Sequence, residues 1–474
     1  MTTASSAAPS AEVTAIDASA RCPLLLLLGA ALLWLVVSGA LALLNLLQLS
    51  TPSLAADCAV MTFGRTAAMQ QTAFLYGWAA NAGLAVVLWL LGRLGGSPLR
   101  SLNWTVAGAL FWNLSVALSL VGIGTGDGAS HAWLHLPAYV QPLMLVAYAA
   151  MVVPGVLAWT NRRQPMMFAA QWYAVAALVL FPWIFSGAQL MLSFAPERGV
   201  LQALVAGWFG QGAWSLWLAP LALAAAYYLV PKVGGRAIPS YDFAILSFWT
   251  LIFVGSWTGG RHLIGGPVPA WTITVAGVAC VLLLFHYIVV GINLRGAFAC
   301  GGSTVLRFIA LGLGAYLLGG LGDALTAFRG VAVLTQFTHL ATAQSQLALT
   351  GAFSLTIFGA IYFMVPRLTG QAWPSGSLIR GHFFAALLGT LILIGALAVA
   401  GWIQGQDLNN ATVSFAAIAA HTQPWLLIAA AGQAVLVVGN GLLLVHLVRA
   451  IACRWLKPAP AIFPEAPTME VSRS

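Results

Sequence analysis

Charged side chains are scarce in this sequence. Only 29 of its 474 residues are charged, 19 of them basic and 10 acidic, whereas 61% of all residues are hydrophobic. A soluble domain carries about a quarter charged residues, so this chain has too few to cover itself with a hydrated surface. The scarcity excludes a soluble enzyme and a disordered protein. It also excludes a nucleic-acid-binding protein, because the basic residues are not gathered on one polar face.

Cysteine is sparse as well. The five cysteines include no CxxC pair and lie mostly on apolar segments. An odd number of cysteines in such positions argues against a disulfide-bonded scaffold.

Long hydrophobic runs, by contrast, are abundant. A helix needs about 20 apolar residues to cross the hydrocarbon core of a bilayer. We therefore predict an all-α polytopic membrane protein with twelve transmembrane helices, surrounded by membrane lipid. The runs cover approximately residues 23–47, 67–92, 102–123, 136–158, 170–193, 202–230, 240–262, 269–294, 304–328, 337–365, 378–402 and 424–451.

The domain organisation predicted from these runs is simple. Residues 22–455 form one membrane domain, because no loop between the runs is long and polar enough to be a soluble domain. Residues 1–21, rich in Ala, Ser and Thr, are predicted to be a disordered cytoplasmic tail. Residues 456–474 are predicted to be a Pro-rich cytoplasmic tail.

The distribution of Lys and Arg predicts the orientation of the chain. With the N-terminus in the cytoplasm, 15 basic residues fall in inner segments and 4 in outer loops. Basic residues accumulate in cytoplasmic loops. The bias predicts an integral protein of the inner (cytoplasmic) membrane with both termini in the cytoplasm, and it explains the net charge of +9 without a nucleic-acid partner.

Polar groups within the apolar runs are candidates for function, because they are costly in a membrane. Asp323 lies inside the ninth run, and we expect it either to pair with nearby Arg329 or to belong to a proton or ion path. His286 is expected to be a hydrogen-bonded core residue. Five other histidines fall near the predicted outer surface, where they form either a metal site or, as we favour, a scattered interfacial set: His131, His135, His262, His339 and His421.

Two segments carry specific motifs. The first includes Gly-Gln-Gly-Ala-Trp at 210–214, Tyr-Tyr-Leu-Val-Pro-Lys at 227–232 and Trp-Thr-Gly-Gly-Arg-His at 257–262. The second includes Gln-Ser-Gln at 344–346 and Tyr-Phe-Met-Val-Pro at 362–366. These resemble the sixth, seventh and tenth helices of subunit I of the C-family (cbb-type) heme-copper cytochrome c oxidases. The twelve runs and their orientation agree with that bundle.

The resemblance implies two b-type hemes and a copper ion held by six histidines. In this chain the low-spin heme positions correspond to Gln70 on the second helix, or to Gln71 if the register shifts by one residue, and to Gln346 on the tenth. The high-spin heme position corresponds to Gln344. The copper positions correspond to Gln211, Arg261 and His262, so only one of the six histidines is kept.

These replacements change the chemistry of the site. Iron and copper prefer imidazole nitrogen, whereas a glutamine amide is a weak oxygen donor and a guanidinium repels a metal ion. We therefore predict that the chain carries no heme and no copper and has no catalytic residue. The alternative is that heme b and copper bind as in the family.

The predicted site is a polar cavity that opens to the outer side, with Arg261 satisfied by glutamine carbonyls and water and with glutamine amides bonded to one another across helices. Tyr241 resembles the tyrosine that this family crosslinks to a copper ligand, although an interfacial position is preferred. The seven candidate residues are Gln70, Gln211, Tyr241, Arg261, His262, Gln344 and Gln346.

Three functions follow as hypotheses. The favoured one is a non-catalytic partner, assembly or regulatory subunit of a respiratory complex, associated with cytochrome c-type or other subunits. The second is an active terminal oxidase or nitric oxide reductase subunit. The third is a transporter or channel that uses the vacated heme cavity.

Overall fold

Twelve membrane-length helices make up the described part of the chain. The computed structural model describes residues 11–299 and 303–456. Within them, twelve helices are long and apolar enough to cross a membrane, as the sequence predicts. They are α1 (Ala11–Ser50), α2 (Phe63–Gly95), α3 (Leu102–Thr125), α4 (Gln141–Thr160), α5 (Ala169–Phe194), α6 (Val200–Gly234), α7 (Tyr241–Leu263), α8 (Ala270–Asn293), α9 (Thr304–Thr326), α10 (His339–Thr369), α11 (Gly376–Leu408) and α12 (Phe415–Leu456).

Three helices form the centre of the bundle. The most apolar 18-residue windows of α2, α6 and α10 are 100%, 100% and 89% buried, against 39–44% for the other nine spanning helices. The outer helices expose large apolar side chains, such as Val121, Phe253 and Leu391, as a bilayer requires. The first and last helices, α1 and α12, pack against each other and close the ring.

The three central helices, which recur at every fourth helix of the chain, share two local features. Each contains a π-helical segment near its first third: Ala73–Ala79, Ala213–Leu218 and Leu347–Ser354. Each also ends on a glycine in the left-handed region: Gly96, Gly235 and Gly370. Because π-helical turns are common at functional sites, they direct attention to the residues just before them.

A short helix, Arg329–Thr335, lies between α9 and α10 and packs tightly against α11. A Cβ atom at Gly405 of α11 would lie 1.9 Å from the carbonyl oxygen of Leu334, and one at Gly401 would lie 2.0 Å from the amide nitrogen of Leu340. Both contacts are with backbone. The beginning of α10 is therefore held in place by glycines of a neighbouring helix.

The predicted tail boundaries need correction at the N-terminal side. Residues 11–21 are helical, so the tail predicted for 1–21 is wrong over that part, and residues 1–10 lie outside the described residues. The helix extends because Asp17 is anchored: Trp89 Nε1 donates to its carboxylate at 2.9 Å and Arg93 forms a salt bridge with it. At the other end α12 reaches Leu456, and the predicted tail beyond it also lies outside the described residues.

Candidate functional site

Six of the seven predicted site residues lie at one end of the bundle, where α2, α6 and α10 begin and α7 ends. We call it the site end. They divide into two groups. One cavity is lined by Gln211, Arg261, His262 and Gln344. Two other cavities are each lined by both Gln70 and Gln346. The single cavity expected from the sequence is therefore several adjoining spaces.

Arg261 is the centre of a buried ion pair. Its Nη2 donates to Oδ1 of Asp323 at 2.7 Å, and its Nη1 donates to Oε1 of Gln211 at 3.2 Å. Gln344 Nε2 also donates to Asp323 Oδ1. The side chains of Arg261 and Asp323 are only 7% and 15% exposed. Four side chains from α6, α7, α9 and α10 are thus joined in one network.

This network corrects two expectations. Asp323 pairs with Arg261 of α7, not with Arg329. The expected glutamine carbonyl is confirmed as a partner of Arg261. Asp323, at similar depth on the ninth helix, was the less favoured partner, because α7 need not face it. Sequence separation misled the prediction, since 62 residues separate the ion pair.

Two cavities of similar size adjoin this network. The first, about 370 Å³, is bounded by the ion pair, Gln211, Gln344 and Trp214. The second, about 330 Å³, is bounded by Gln70, Gln71, Thr342 and Gln346. Trp133, His262, Ala341 and Ser345 line both cavities.

Trp133 forms the wall shared by these cavities, and its backbone is held in an unusual conformation. Its φ is 68°, in the left-handed region that a bulky side chain rarely adopts. Gln71 Oε1 accepts from its amide nitrogen at 2.7 Å, and the Tyr76 hydroxyl donates to its carbonyl at 2.6 Å. Two side chains of α2 therefore fix the loop between α3 and α4, which the sequence did not single out.

The two positions that resemble low-spin heme ligands lie beside a much smaller space. Gln70 and Gln346 line a cavity of about 30 Å³, room for roughly two water molecules. Gln346 Oε1 accepts from the Thr350 hydroxyl at 2.7 Å, and Gln70 Nε2 donates to Ser38 Oγ at 3.4 Å. The expectation that glutamine amides bond to one another is wrong among the described contacts, because each finds a nearer partner.

Tyr241 does not belong to the site. It is the first residue of α7, 40% exposed, with its ring 6.2 Å from that of Trp172 in an edge-on contact. Twenty residues of helix separate it from Arg261, which is about 30 Å at 1.5 Å per residue. The cavity assignment is therefore wrong, and the preferred interfacial position stays a prediction.

The predicted outer histidines do not gather. Over residues 11–299 and 303–456, no three His, Cys, Asp or Glu side chains are placed to hold a metal ion. His421 Nδ1 instead lies 2.8 Å from Asp407 Oδ2, and His135 Nδ1 lies 3.1 Å from the carbonyl oxygen of Ala129. His286 is a bonded core residue, as expected, with its two ring nitrogens 2.9 Å from Ser247 Oγ and 2.8 Å from the Tyr316 hydroxyl.

Comparison with known proteins identifies the bundle. The sequence profile of the family "Cytochrome C and Quinol oxidase polypeptide I" matches residues 23–435. The chain belongs to this family. It is a heme-copper oxidase subunit I-like integral membrane protein, and the resemblance seen in its motifs is confirmed.

Individual relatives are distant. The chain is 24% identical over 424 residues to the Cbb3-type cytochrome c oxidase subunit CcoN1 of Stutzerimonas stutzeri, covering 86% of this chain and 90% of that one. It is 24% identical over 393 residues to cytochrome c oxidase subunit 1 of Rhodobacter capsulatus, covering 78% and 73%. A cryo-EM structure of a heme-copper terminal oxidase dimer shares the fold, with a TM-score of 0.67 at 13% identity, covering 95% and 85%.

Proposed function

We propose that this chain is a non-catalytic subunit of a respiratory membrane complex and carries neither heme nor copper. The family supplies the coarse part of this statement, because its members are subunits of respiratory oxidases that work with other subunits. The absence of heme, copper and catalysis is proposed from the residues at the positions that resemble the metal ligands of the family.

The Arg261–Asp323 pair is the observation that carries the proposal. A permanent cation stands at a position that resembles a copper ligand, and it is neutralised by a carboxylate 2.7 Å away. Gln211 and Gln344, at two further ligand-like positions, bond to the same pair. As metal ligands, the amides of Gln211 and Gln344 are weak and the guanidinium of Arg261 is cationic. These residues therefore do not fit copper or a high-spin heme.

The low-spin heme position supports the same conclusion. Gln70 and Gln346 offer amides where the family offers imidazoles, and an amide is a weak donor to iron. The two side chains line the space of about 30 Å³ and the cavity of about 330 Å³, and each is bonded to a nearby hydroxyl group. We derive no catalytic step through either group.

The decisive experiment is analytical. The purified full-length protein is assayed by pyridine hemochrome for heme and by elemental analysis for copper, with a cbb-type oxidase subunit I purified in parallel as a positive control. We expect far less than one heme and one copper per chain. One heme per chain would overturn the proposal and favour the active oxidase or nitric oxide reductase subunit.

The proposed location is the cytoplasmic membrane with both termini in the cytoplasm. The support is the 15-to-4 excess of basic residues on the predicted inner side. In that orientation the site end faces the periplasm. A pair of reporters fused after Ser474 tests it: the cytoplasmic reporter should be active and the periplasmic one inactive, and the reverse result would overturn it.

A second function, solute binding or transport, is favoured by one observation. The cavities of about 370 and 330 Å³ meet at Trp133 and His262 and together present charged, amide and hydroxyl groups. Cavities of this size suit small ligands. Uptake of radiolabelled solutes into proteoliposomes, compared with a variant that fills the cavity (Gly210→Trp), would distinguish transport from a purely structural role.

A further inference from the structure

A group of uncharged polar side chains surrounds the small cavity between Gln70 and Gln346. Eight of the fourteen residues that line it are polar, and they come from α1, α2, α10, α11 and α12. We call this group the polar cage. Its polar members are Ser38, Gln70, Gln346, Thr350, Ser354, Thr390, Gln433 and Asn440.

The cage extends from the site end toward the middle of the spanning helices. Ser38 is in the second half of α1, Thr390 near the middle of α11 and Gln433 near the middle of α12. These three side chains are 1%, 6% and 7% exposed. Polar groups are costly there and mark ligand and ion pathways, so eight of them around one space call for an occupant.

The hydroxyl groups of the cage use their protons on neighbouring oxygens. Ser38 donates to the carbonyl of Gln70 at 3.1 Å, Thr350 to Gln346 Oε1 at 2.7 Å, and Ser354 to the carbonyl of Leu349 at 2.8 Å. Ser38 Oγ and Ser354 Oγ each also accept one hydrogen bond, from Gln70 Nε2 and Trp78 Nε1, so one lone pair on each of these oxygens remains for an occupant.

Two further residues lack internal partners. Thr390 Oγ1 is fully buried and has no hydrogen-bond partner among the described residues. Asn440 is 6% exposed and lines the cavity, and none of the hydrogen bonds found in the described part of the chain involves its side chain. An unpaired buried oxygen costs free energy unless an occupant satisfies it.

We propose that the polar cage binds one partly dehydrated alkali-metal cation, Na⁺ or K⁺, between α2 and α10. The space of about 30 Å³ accommodates an ion with one water molecule. Side-chain hydroxyls and backbone carbonyls beside unwound helical turns are the ligands that membrane proteins use for such ions. Here Thr350 and Ser354 lie in the π-helical segment Leu347–Ser354, and Gln346 immediately precedes it.

The lining excludes other classes of ion. The residues that line the cage include no Asp or Glu, whereas Ca²⁺ and Mg²⁺ sites are built largely on carboxylates. They include no His or Cys, which transition metals prefer. They include no Lys or Arg to attract an anion. A formally neutral set of oxygens suits a monovalent cation.

The cage also has a route of access. Gln70, Phe74 and Gln346 line both the cage and the neighbouring cavity of about 330 Å³ at the site end. An ion can therefore reach the cage through that cavity by movement of two glutamine side chains. This inference goes beyond the proposed respiratory role and does not depend on it.

The test measures the thermal stability and ion binding of the full-length protein. It is purified in choline chloride, and its melting temperature is followed as NaCl or KCl replaces choline at constant ionic strength, together with equilibrium binding of ²²Na⁺ or ⁸⁶Rb⁺. We expect a saturable rise with Na⁺ or K⁺ but not with choline, and about one ion bound per chain. Heme absorbance of the same preparation separates this outcome from the proposed function.

Variants locate the effect. Thr390→Val and Asn440→Leu are expected to weaken ion binding about tenfold or more, since each removes an oxygen from the cage. Thr390→Ser should restore it. The matched control is Thr356→Val, because Thr356 is equally buried but donates to the carbonyl of Ala352 at 2.7 Å and does not line the cage.

Two results would overturn the proposal. One is equal stability in choline, Na⁺ and K⁺ with no bound ion, which would mean that the cage holds only water. The other is ion binding that persists unchanged in both Thr390→Val and Asn440→Leu, which would place the ion elsewhere.

Discussion

The two regions at the site end, both built at positions that resemble metal ligands of the family, differ in charge and in the partners of their polar groups. Around Arg261 and Asp323 the network is charged and borders a cavity of about 370 Å³. Around Gln70 and Gln346 the polar cage is uncharged, encloses about 30 Å³ and borders the cavity of about 330 Å³. A buried charge needs a charged partner, which Asp323 supplies to Arg261. The neutral amides and hydroxyls of the cage need no counter-charge, and several of them bond to a neighbouring group.

The largest expected effect comes from breaking the ion pair. Asp323→Asn leaves the guanidinium of Arg261 buried without a counter-charge, and we expect a loss of about 3–5 kcal/mol in the free energy of unfolding. Thermal or denaturant unfolding in detergent measures it. The double variant Arg261→Met, Asp323→Leu is the control and should be close to wild type. If the double variant is as unstable as Asp323→Asn, the unpaired charge of Arg261 is not the cause of the lost stability.

A second effect tests the packing of α11 against the beginning of α10, the helix that contributes to both regions. Gly401→Ala places a Cβ atom 2.0 Å from the amide nitrogen of Leu340, at the beginning of the helix that carries Gln344 and Gln346. Backbone cannot yield easily, so we expect a cost of about 1–3 kcal/mol. The control is Gly395→Ala on the same helix, where nothing lies within 4 Å of the added atom. Equal stability of the two variants would contradict the packing.

A smaller effect is expected within the polar cage. Thr350→Val removes the hydrogen bond to Gln346 Oε1, and such bonds in membrane proteins contribute about 0.6 kcal/mol. Thr274→Val is the matched control, because Thr274 is exposed toward lipid and donates only to the carbonyl of Ala270, within its own helix. If Thr350→Val costs as much as Asp323→Asn, the contrast between the two regions fails.

The smallest effect concerns the loop that forms the wall between the cavities. Burial, together with the nearby charge of His131, lowers the pKa of His135 below 6.5, although its contact with the Ala129 carbonyl opposes the shift. The unfolded chain then binds the proton more readily than the folded one. Stability should therefore fall as the pH drops below about 6.5, and level off below the folded pKa. His135→Gln should flatten the pH profile of the melting temperature, and an unchanged profile would exclude this residue.

The fold was predictable because its signals are local. Twelve apolar runs gave twelve helices, and short loops left no space for another domain. The N-terminal boundary failed because the segment 11–21 is rich in Ala and short polar residues without a continuous apolar run, whereas its helix is held by a distant contact between Asp17 and Trp89. Composition alone does not contain that contact.

The site was predictable only in part, for a similar reason. The positions of Gln211, Arg261 and Gln344 followed from motifs of neighbouring residues, and they meet as expected. The pairing of Arg261 with Asp323 depends on how α7 faces α9, which no motif specifies. The polar cage was missed because Thr390, Gln433 and Asn440 are isolated polar residues in α11 and α12 with no spacing that marks them.

The backbone of Trp133 has a consequence for motion. Its left-handed conformation costs about 1–3 kcal/mol, and two hydrogen bonds to Gln71 and Tyr76 of α2 hold it in place. Because of these bonds, we expect the loop to unfold together with α2. We expect the amide of Trp133 to exchange its hydrogen for deuterium only when that helix opens, so a surface connection would be as slow to exchange as the core.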